Sequence, residues 1–146
     1  MEKEKVFYED VKINDKIPSL IKQPTTRQLV KWAGVSGDYY EIHYDKDIAQ
    51  KSGLPGVVVH GKLVVSFLAQ MITDWIGEDG DLKVISCGYR GLLYPGEDAI
   101  CNGKIAKKYV EDGKHYAECE IWVENSKNQS VIKGKAIVVL PSKYER

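Results

Sequence analysis

Asp38 and His43 are two side chains able to exchange a proton near neutral pH. They lie five residues apart in the run Ser36-Gly37-Asp38-Tyr39-Tyr40-Glu41-Ile42-His43, and a second imidazole follows in Val57-Val58-Val59-His60-Gly61. Five is an awkward spacing. On a helix, five steps of about 100° leave two side chains about 140° apart, and on a strand an odd offset puts them on opposite faces. Asp38 and His43 converge only if the chain between them is an irregular loop held in place by its surroundings. An acid–imidazole pair held that way suits proton transfer.

Each candidate also has a plainer reading. Asp38 alone could cap a helix or bond its own turn, and His43 alone could be a satisfied structural histidine. His60 reads as an anchor for the start of the long apolar helix that follows it. Gly61 says more: an amide at a helix start, without a Cβ, can approach a ligand oxygen closely, and the helix dipole favours negative charge there. Tyr39 and Tyr40 either fill space beside the loop or shape a pocket. Arg90, Lys62 and Lys51 could meet phosphates, although lone basic residues usually just solvate a face. Cys101 and Cys119 fall on inward strand positions as small apolar residues, and no neighbouring base would make either a nucleophile.

The loop needs elements to hold it. Pro24-Thr25-Thr26 starts a short helix over Arg27 to Ala33, which Gly34 and Gly37 end. Asp45 caps a second helical piece over Lys46 to Ser52, stopped by Gly53. From Lys62 to Ile76 the polar residues Lys62, Ser66, Gln70, Thr73 and Asp74 share one stripe, and the rest of the circumference is apolar, so this helix must be wrapped. The wrapper is a set of alternating strands. Ala99, Cys101, Gly103 and Ile105 form one, Ala117, Cys119, Ile121 and Val123 a second, and Ile132, Gly134, Ala136 and Val138 a third. Asp112-Gly113 and the polar cluster from Asn125 to Asn128 are the hairpin turns. Periodicity alone gives an α+β fold.

The bulk numbers exclude several partners. The 146 residues fit one domain, 1-146, able to bury about two-thirds of its unfolded surface. Acidic and basic residues balance at 21 each, so there is no basic excess for a nucleic acid or an anionic membrane. The most apolar run, Val57 to Ile76, is interrupted by His60, Lys62, Gln70 and Asp74 and is too polar to cross a bilayer. The three cysteines, Cys87, Cys101 and Cys119, have neither metal-ligand nor disulfide-framework spacing. With no apolar signal core behind Met1, the expected location is cytoplasmic. The first few residues and Ser142 to Arg146 read as frayed ends.

Gly-Asp, a short spacer, Ile-His, and His-Gly some seventeen residues later resemble the hydratase motif of the MaoC-like (R)-specific enoyl-CoA hydratases, which share the hot-dog fold with bacterial 3-hydroxyacyl-thioester dehydratases. Asp45, the Ala49-to-Gly53 stretch, Leu54-Pro55-Gly56, Thr73-Asp74-Trp75 and Tyr94-Pro95-Gly96-Glu97 extend the likeness to about residues 20 to 140. The resemblance implies a single hot-dog domain, a long central helix wrapped by a curved antiparallel sheet. It implies a lyase that reversibly adds water to a trans-2-enoyl-CoA, or to the corresponding acyl-carrier-protein thioester, giving the (R)-3-hydroxyacyl product. Asp38 and His43 would grip the water and exchange its protons, and the Gly61 amide would polarise the thioester carbonyl. Tyr39, Tyr40, His60 and Lys62 would contact substrate. No metal or redox cofactor is implied.

The chain departs from the family pattern twice. Tyr40-Glu41 stand where the motif commonly has Asn-Pro, which bears on substrate choice, and Lys62 replaces a common Met, placing a cation near the mouth of the site. Two other readings remain. A hot-dog thioesterase would carry its acid on the central helix, where Gln70 and Asp74 are available. The chain could also be the catalytic half of a heteromer with a second hot-dog subunit. Open sheet edges imply at least a homodimer.

Overall fold

The computed structural model describes residues 4–144. Its centre is helix α3, Gly61–Ile76, which buries Leu63, Val64, Phe67, Leu68, Met71, Ile72 and Ile76. The exposed residues of the helix, among them Lys62, Thr73 and Asp74, belong to the polar stripe. Five strands wrap it: β1 (Lys16–Lys22), β2 (Asp81–Tyr89), β3 (Ala99–Glu111), β4 (Lys114–Glu124) and β5 (Ser130–Leu140). They form one antiparallel sheet in the order β1-β3-β4-β5-β2, and α3 packs against every strand. This is the hot-dog arrangement, of class α+β.

The three inner strands follow the alternation in the sequence. Ala99, Cys101, Ile105, Ala117, Cys119, Ile121, Val123, Ile132, Ala136 and Val138 all face the helix and are buried. Burial of each large side chain among them contributes about 1.5–3 kcal/mol. It also pushes the Cys101 and Cys119 thiols up to about 12, because no water reaches a thiolate there. The β3–β4 hairpin turns on Asp112 and Gly113, both with positive φ (48° and 74°), the combination a two-residue type I′ turn requires. In the β4–β5 turn the Asn125 carboxamide oxygen accepts from the amides of Lys127 and Gln129, each at 3.0 Å.

The pattern yields three strands; the structure has two more, and both are edges. In β1 only Ile17 is buried, and the pairing with β3 slips between Ile17 and Leu20, around Pro18. A proline cannot donate to a ladder and is confined to such an edge. Strand β2 slips against β5 between Leu82 and Val84, which breaks its alternation.

The short elements lie near their expected positions. Helix α1, Thr26–Ser36, is capped by the Thr25 side chain accepting from Gln28 N at 3.2 Å; it runs through Gly34 and stops only at Gly37, whose φ of 74° closes the turn. Helix α2, Lys46–Lys51, is capped by Asp45 accepting from Ile48 N at 3.0 Å.

The expectation of frayed ends is corrected at Ser142 and Lys143. The Ser142 hydroxyl donates to Glu9 Oε1 at 2.6 Å and the Lys143 amide to Oε2 at 3.0 Å. These two bonds hold the Glu9 carboxyl down to about 2. Lys108 completes this clasp, donating to the carbonyls of Tyr8 (2.7 Å) and Val11 (2.6 Å). Tyr144 is tied as well, its amide donating to Ser142 Oγ at 3.1 Å, and residues 1–3 and 145–146 lie outside the described residues. Among the described residues no helix is long and apolar enough to cross a membrane.

Candidate active site

The loop that carries Asp38 and His43 is built by local bonds. After Gly37 the Asp38 amide donates to Ser36 Oγ (3.2 Å), and Asp38 Oδ1 accepts from the Tyr40 amide (3.4 Å). A single tight turn over Glu41–His43 then brings the imidazole round, with His43 N bonded to the Tyr40 carbonyl at 3.1 Å. The segment before α3 is pinned across it: Val58 N donates to Ile42 O (3.1 Å) and Val59 N to Leu93 O (2.8 Å). Irregular backbone thus solves the five-residue spacing.

His43 is 9 % exposed, and its Nδ1 lies 2.7 Å from the Val58 carbonyl. A carbonyl only accepts, so Nδ1 carries the proton and the Nε2 of the neutral ring is a bare lone pair. That lone pair faces Asp38 Oδ2 at 3.9 Å. The separation is too long for a direct hydrogen bond, and it lets both atoms reach one oxygen placed between them. The Asp38 side chain is 43 % exposed, so it meets solvent on one side and the imidazole on the other.

His60 lies beneath this pair. It is 1 % exposed, its ring stacks on that of His43 with centroids 3.9 Å apart and planes 19° from parallel, and its Nε2 donates to the Asp38 carbonyl at 3.2 Å. Burial first, and the neighbouring His43 second, lower its pKa and keep it neutral. Asp38, His43 and His60 offer one donor atom each within 4.8 Å of one another, the one cluster among the described residues from which a metal ion could be held.

Asp38 and His43 border a pocket of about 330 Å³ whose wall is mostly apolar, with Ile42, Val58, Val59, Leu93, Val131 and Ile132 among its lining; His60, expected to contact substrate, lies behind the pair and is not part of that lining. Gly61 lines it too, as the first residue of α3. Its N–H is one of the amides a helix start leaves without an intrahelical partner, so a ligand oxygen can take it. The Tyr89 ring lies against this glycine; a Cβ at residue 61 would come 2.6 Å from Tyr89 Cε1. An apolar wall, a bare imidazole nitrogen, a carboxylate and a helix-start amide together suit water chemistry on an acyl group with a polarised carbonyl.

The other candidate residues are spread more widely. Lys62 lines the mouth of the pocket with its side chain exposed. Tyr39 and Tyr40 are 59 % and 57 % exposed and are not part of the lining; Tyr40 meets the His43 ring edge-on at 6.2 Å. Arg90 donates to the Tyr89 carbonyl at 3.2 Å, and Lys51 is exposed on α2. Asp74 sits at the far end of α3, against a different cavity. Sequence reasoning missed Tyr89, Leu93, Val131 and Ile132. The strand alternation carries a pattern signal for Ile132, whereas nothing in the sequence marks the other three.

Comparison with known proteins bears on the family and the fold. Over 125 residues, 81 % of this chain and 71 % of the relative, it is 28 % identical to the mitochondrial 3-hydroxyacyl-[acyl-carrier-protein] dehydratase of Arabidopsis thaliana. It is 31 % identical over 68 residues to the peroxisomal enoyl-CoA hydratase 2 of the same plant; that stretch is 45 % of this chain and 22 % of the relative. Among solved structures, R-hydratase PhaJ1 from Pseudomonas aeruginosa superposes with a TM-score of 0.86 over 95 % of this chain and 88 % of its own, at 18 % identity, a likeness of fold. Residues 6–128, which include the Asp38 loop, the start of α3 and four of the five strands, match the MaoC-like domain, and the chain belongs to that family.

Proposed function

We propose that this chain is a hydro-lyase that reversibly adds water across the double bond of a trans-2-enoyl thioester to give the (R)-3-hydroxyacyl thioester. The observation that carries the reading is the bare His43 Nε2 facing Asp38 Oδ2 at 3.9 Å beside an apolar pocket that ends at the Gly61 amide. A water held between the two groups gives its oxygen to C3. One of its protons passes to the dyad and from there to C2, while the hydroxyl stays on C3, so no net proton is gained or lost. As the C3–O bond forms, electron density moves onto the thioester oxygen, where the Gly61 N–H and the positive end of α3 stabilise it. Asp38 and His43 act together in this scheme, the proton passing through the pair. The reaction as written needs no metal or redox group.

Placement supports addition to one face, and family likeness supports which face. The dyad delivers oxygen and proton from one side of a flat enoyl group whose carbonyl is fixed at Gly61, and family likeness makes that the face giving the R alcohol. The two curated relatives are named for different carriers, acyl carrier protein and coenzyme A.

The test is loss of the conjugated-thioester absorbance with crotonyl-CoA, coupled to an S-specific 3-hydroxyacyl-CoA dehydrogenase. Absorbance should fall while little NADH forms. Rapid NADH formation would sink the stereochemical reading, and no absorbance change across a panel of enoyl-CoA esters would sink the reaction.

The same reading includes a homodimer joined along β2. That edge has no proline, while β1 carries Pro18; both edge strands have a register slip. Sedimentation as a stable monomer at micromolar concentration would count against it, unless a second hot-dog subunit restores both assembly and activity.

A further inference from the structure

The proton steps above leave His60 unused, yet it is the more buried of the two imidazoles and touches both members of the dyad. It occupies the residue before α3, between Val59 and Gly61, so it is carried by the helix with the most deeply buried face in the molecule. Its Nε2–H reaches over to the Asp38 carbonyl, and its flat face lies under His43. Its Nδ1 is buried without a hydrogen-bond partner, a state that costs free energy and calls for a reason. An apolar side chain would avoid that cost but could not hold Asp38, and an amide side chain could hold Asp38 but offers no ring to His43. Imidazole supplies both contacts.

We propose that His60 is a positioning residue for the dyad: it fixes Asp38 through its main chain and His43 through its ring, so that helix α3, and not the irregular loop, sets the acid–imidazole separation. This rests on the reading of Asp38 and His43 as the reacting pair. The loop has few other ties to the body of the protein. Asp38 and Tyr40 bond within the loop itself, and His43 is tied through Val58. Removing His60 leaves the Asp38 main chain with local bonds alone. A displacement of about 1 Å at a reacting pair can cost as much as two orders of magnitude in rate, so a tie of this kind matters to kcat more than to binding.

The neutrality of His60 belongs to the same device. The groups that face the stack are the Asp38 carboxylate from the loop, the Tyr40 ring edge, and Lys62 and Tyr89 at the pocket wall. Were His60 charged, it would oppose the positive charge His43 acquires on taking a proton. Burial lowers the pKa of His60 and so disfavours that charge.

The contacts also fix the ring states, since both acceptors are carbonyls: Nδ1–H in His43 and Nε2–H in His60, two stacked imidazoles in opposite tautomers. Long-range nitrogen–carbon NMR of the unaltered protein should show that pair, and an Nδ1–H tautomer at His60 would overturn the proposal. Two variants separate the contacts. His60→Phe keeps a ring and loses the donor, and should speed amide exchange at Asp38 and Tyr39. His60→Gln keeps a donor and loses the ring, and should alter exchange there much less while removing the ring-current shift on His43. Each should lower kcat about tenfold with KM within about twofold, the pattern of an interaction that acts in the transition state. Folded variants with unchanged kcat and unchanged exchange would refute the idea. So would variants whose melting temperature and KM shift while kcat holds, since that is a merely structural role. The tautomer and exchange measurements need no substrate: a protein that passes them without hydrating enoyl thioesters fails only the reading of its function.

Discussion

The two ends of helix α3 both open onto cavities, and the larger one is at the end without the dyad. At the C-terminal end a space of about 820 Å³ is bordered by Asp10, Asp15, Asp74, Lys5 and Trp75, while the N-terminal pocket holds about 330 Å³. At the C-terminal end carboxylates gather where the helix dipole is negative, with water-exposed walls and no imidazole among the lining. At the other end the helix is positive, the wall is apolar, and Asp38, His43 and Gly61 converge. Volume does not mark a site here. What marks it is a low-dielectric wall beside titratable groups at the helix end whose charge suits a developing oxyanion.

The sharpest way to break that contrast is one substitution at each end. His43→Ala and Asp38→Asn should each cut hydration turnover by about a hundredfold or more, the scale of a positioned acid or base, whereas Asp74→Asn should leave it within about twofold. Steady-state rates with one enoyl-CoA ester decide it. An equal loss at Asp74 would erase the distinction between the two ends and revive the thioesterase arrangement.

A smaller effect sharpens the N-terminal half. Gly61→Ala keeps the amide but brings a methyl 2.6 Å from the Tyr89 ring, so either the ring or the helix start must shift. Turnover should fall about tenfold, less than the hundredfold or more expected for deleting an oxyanion donor, because the N–H survives displaced. Adding Tyr89→Ala to Gly61→Ala should recover part of the loss in kcat/KM. No recovery in the double variant would show that the glycine is needed for some reason other than space.

The smallest effect tests the half without the dyad, whose N-terminal segment is held by the Glu9 clasp. The Glu9 carboxyl titrates at about 2 in the folded chain because Ser142 and the Lys143 amide bond it, against 4.5 for an unperturbed glutamate. A depressed acid stabilises the fold above its unfolded pKa and loses that contribution as pH falls through the folded one. The window is therefore pH 4.5 down to about 2. Glu9→Gln should flatten the melting temperature's dependence on pH in that window and leave turnover at neutral pH unchanged. An unaltered slope would show that the clasp contributes nothing.

How much of this was legible in the sequence follows from how local each signal is. Asp38 and His43 could be paired because the motif around them resembles that of the MaoC-like hydratases, the five-residue spacing adding only that the chain between them must be irregular, and Gly61 could be read because a helix start and a missing Cβ are local facts. Strands β3, β4 and β5 could be read because each is buried on one face and alternates. Strands β1 and β2 could not. Each has one neighbour, Pro18 and the slips beside Ile17 and Leu82 break the alternation, and burial is partial. The wall of the pocket was hidden for a different reason. Tyr89, Leu93 and Val131 reach Gly61 and Val59 only through the closing of the sheet on the helix, and Lys108 finds Tyr8 from a hundred residues away. Such contacts leave no mark on the pattern of either partner.

The three thiols are graded by depth: Cys87 is half-buried on the edge strand β2, and Cys101 and Cys119 are sealed between the inner strands and α3. Only a thiolate reacts with an alkylating reagent, and burial holds the inner pair almost wholly protonated at neutral pH. Their modification must therefore wait for the sheet to part from the helix, while Cys87 needs only a local fluctuation of the edge. The chain carries its own clock for opening, with one hand that reads the rim and two that read the centre.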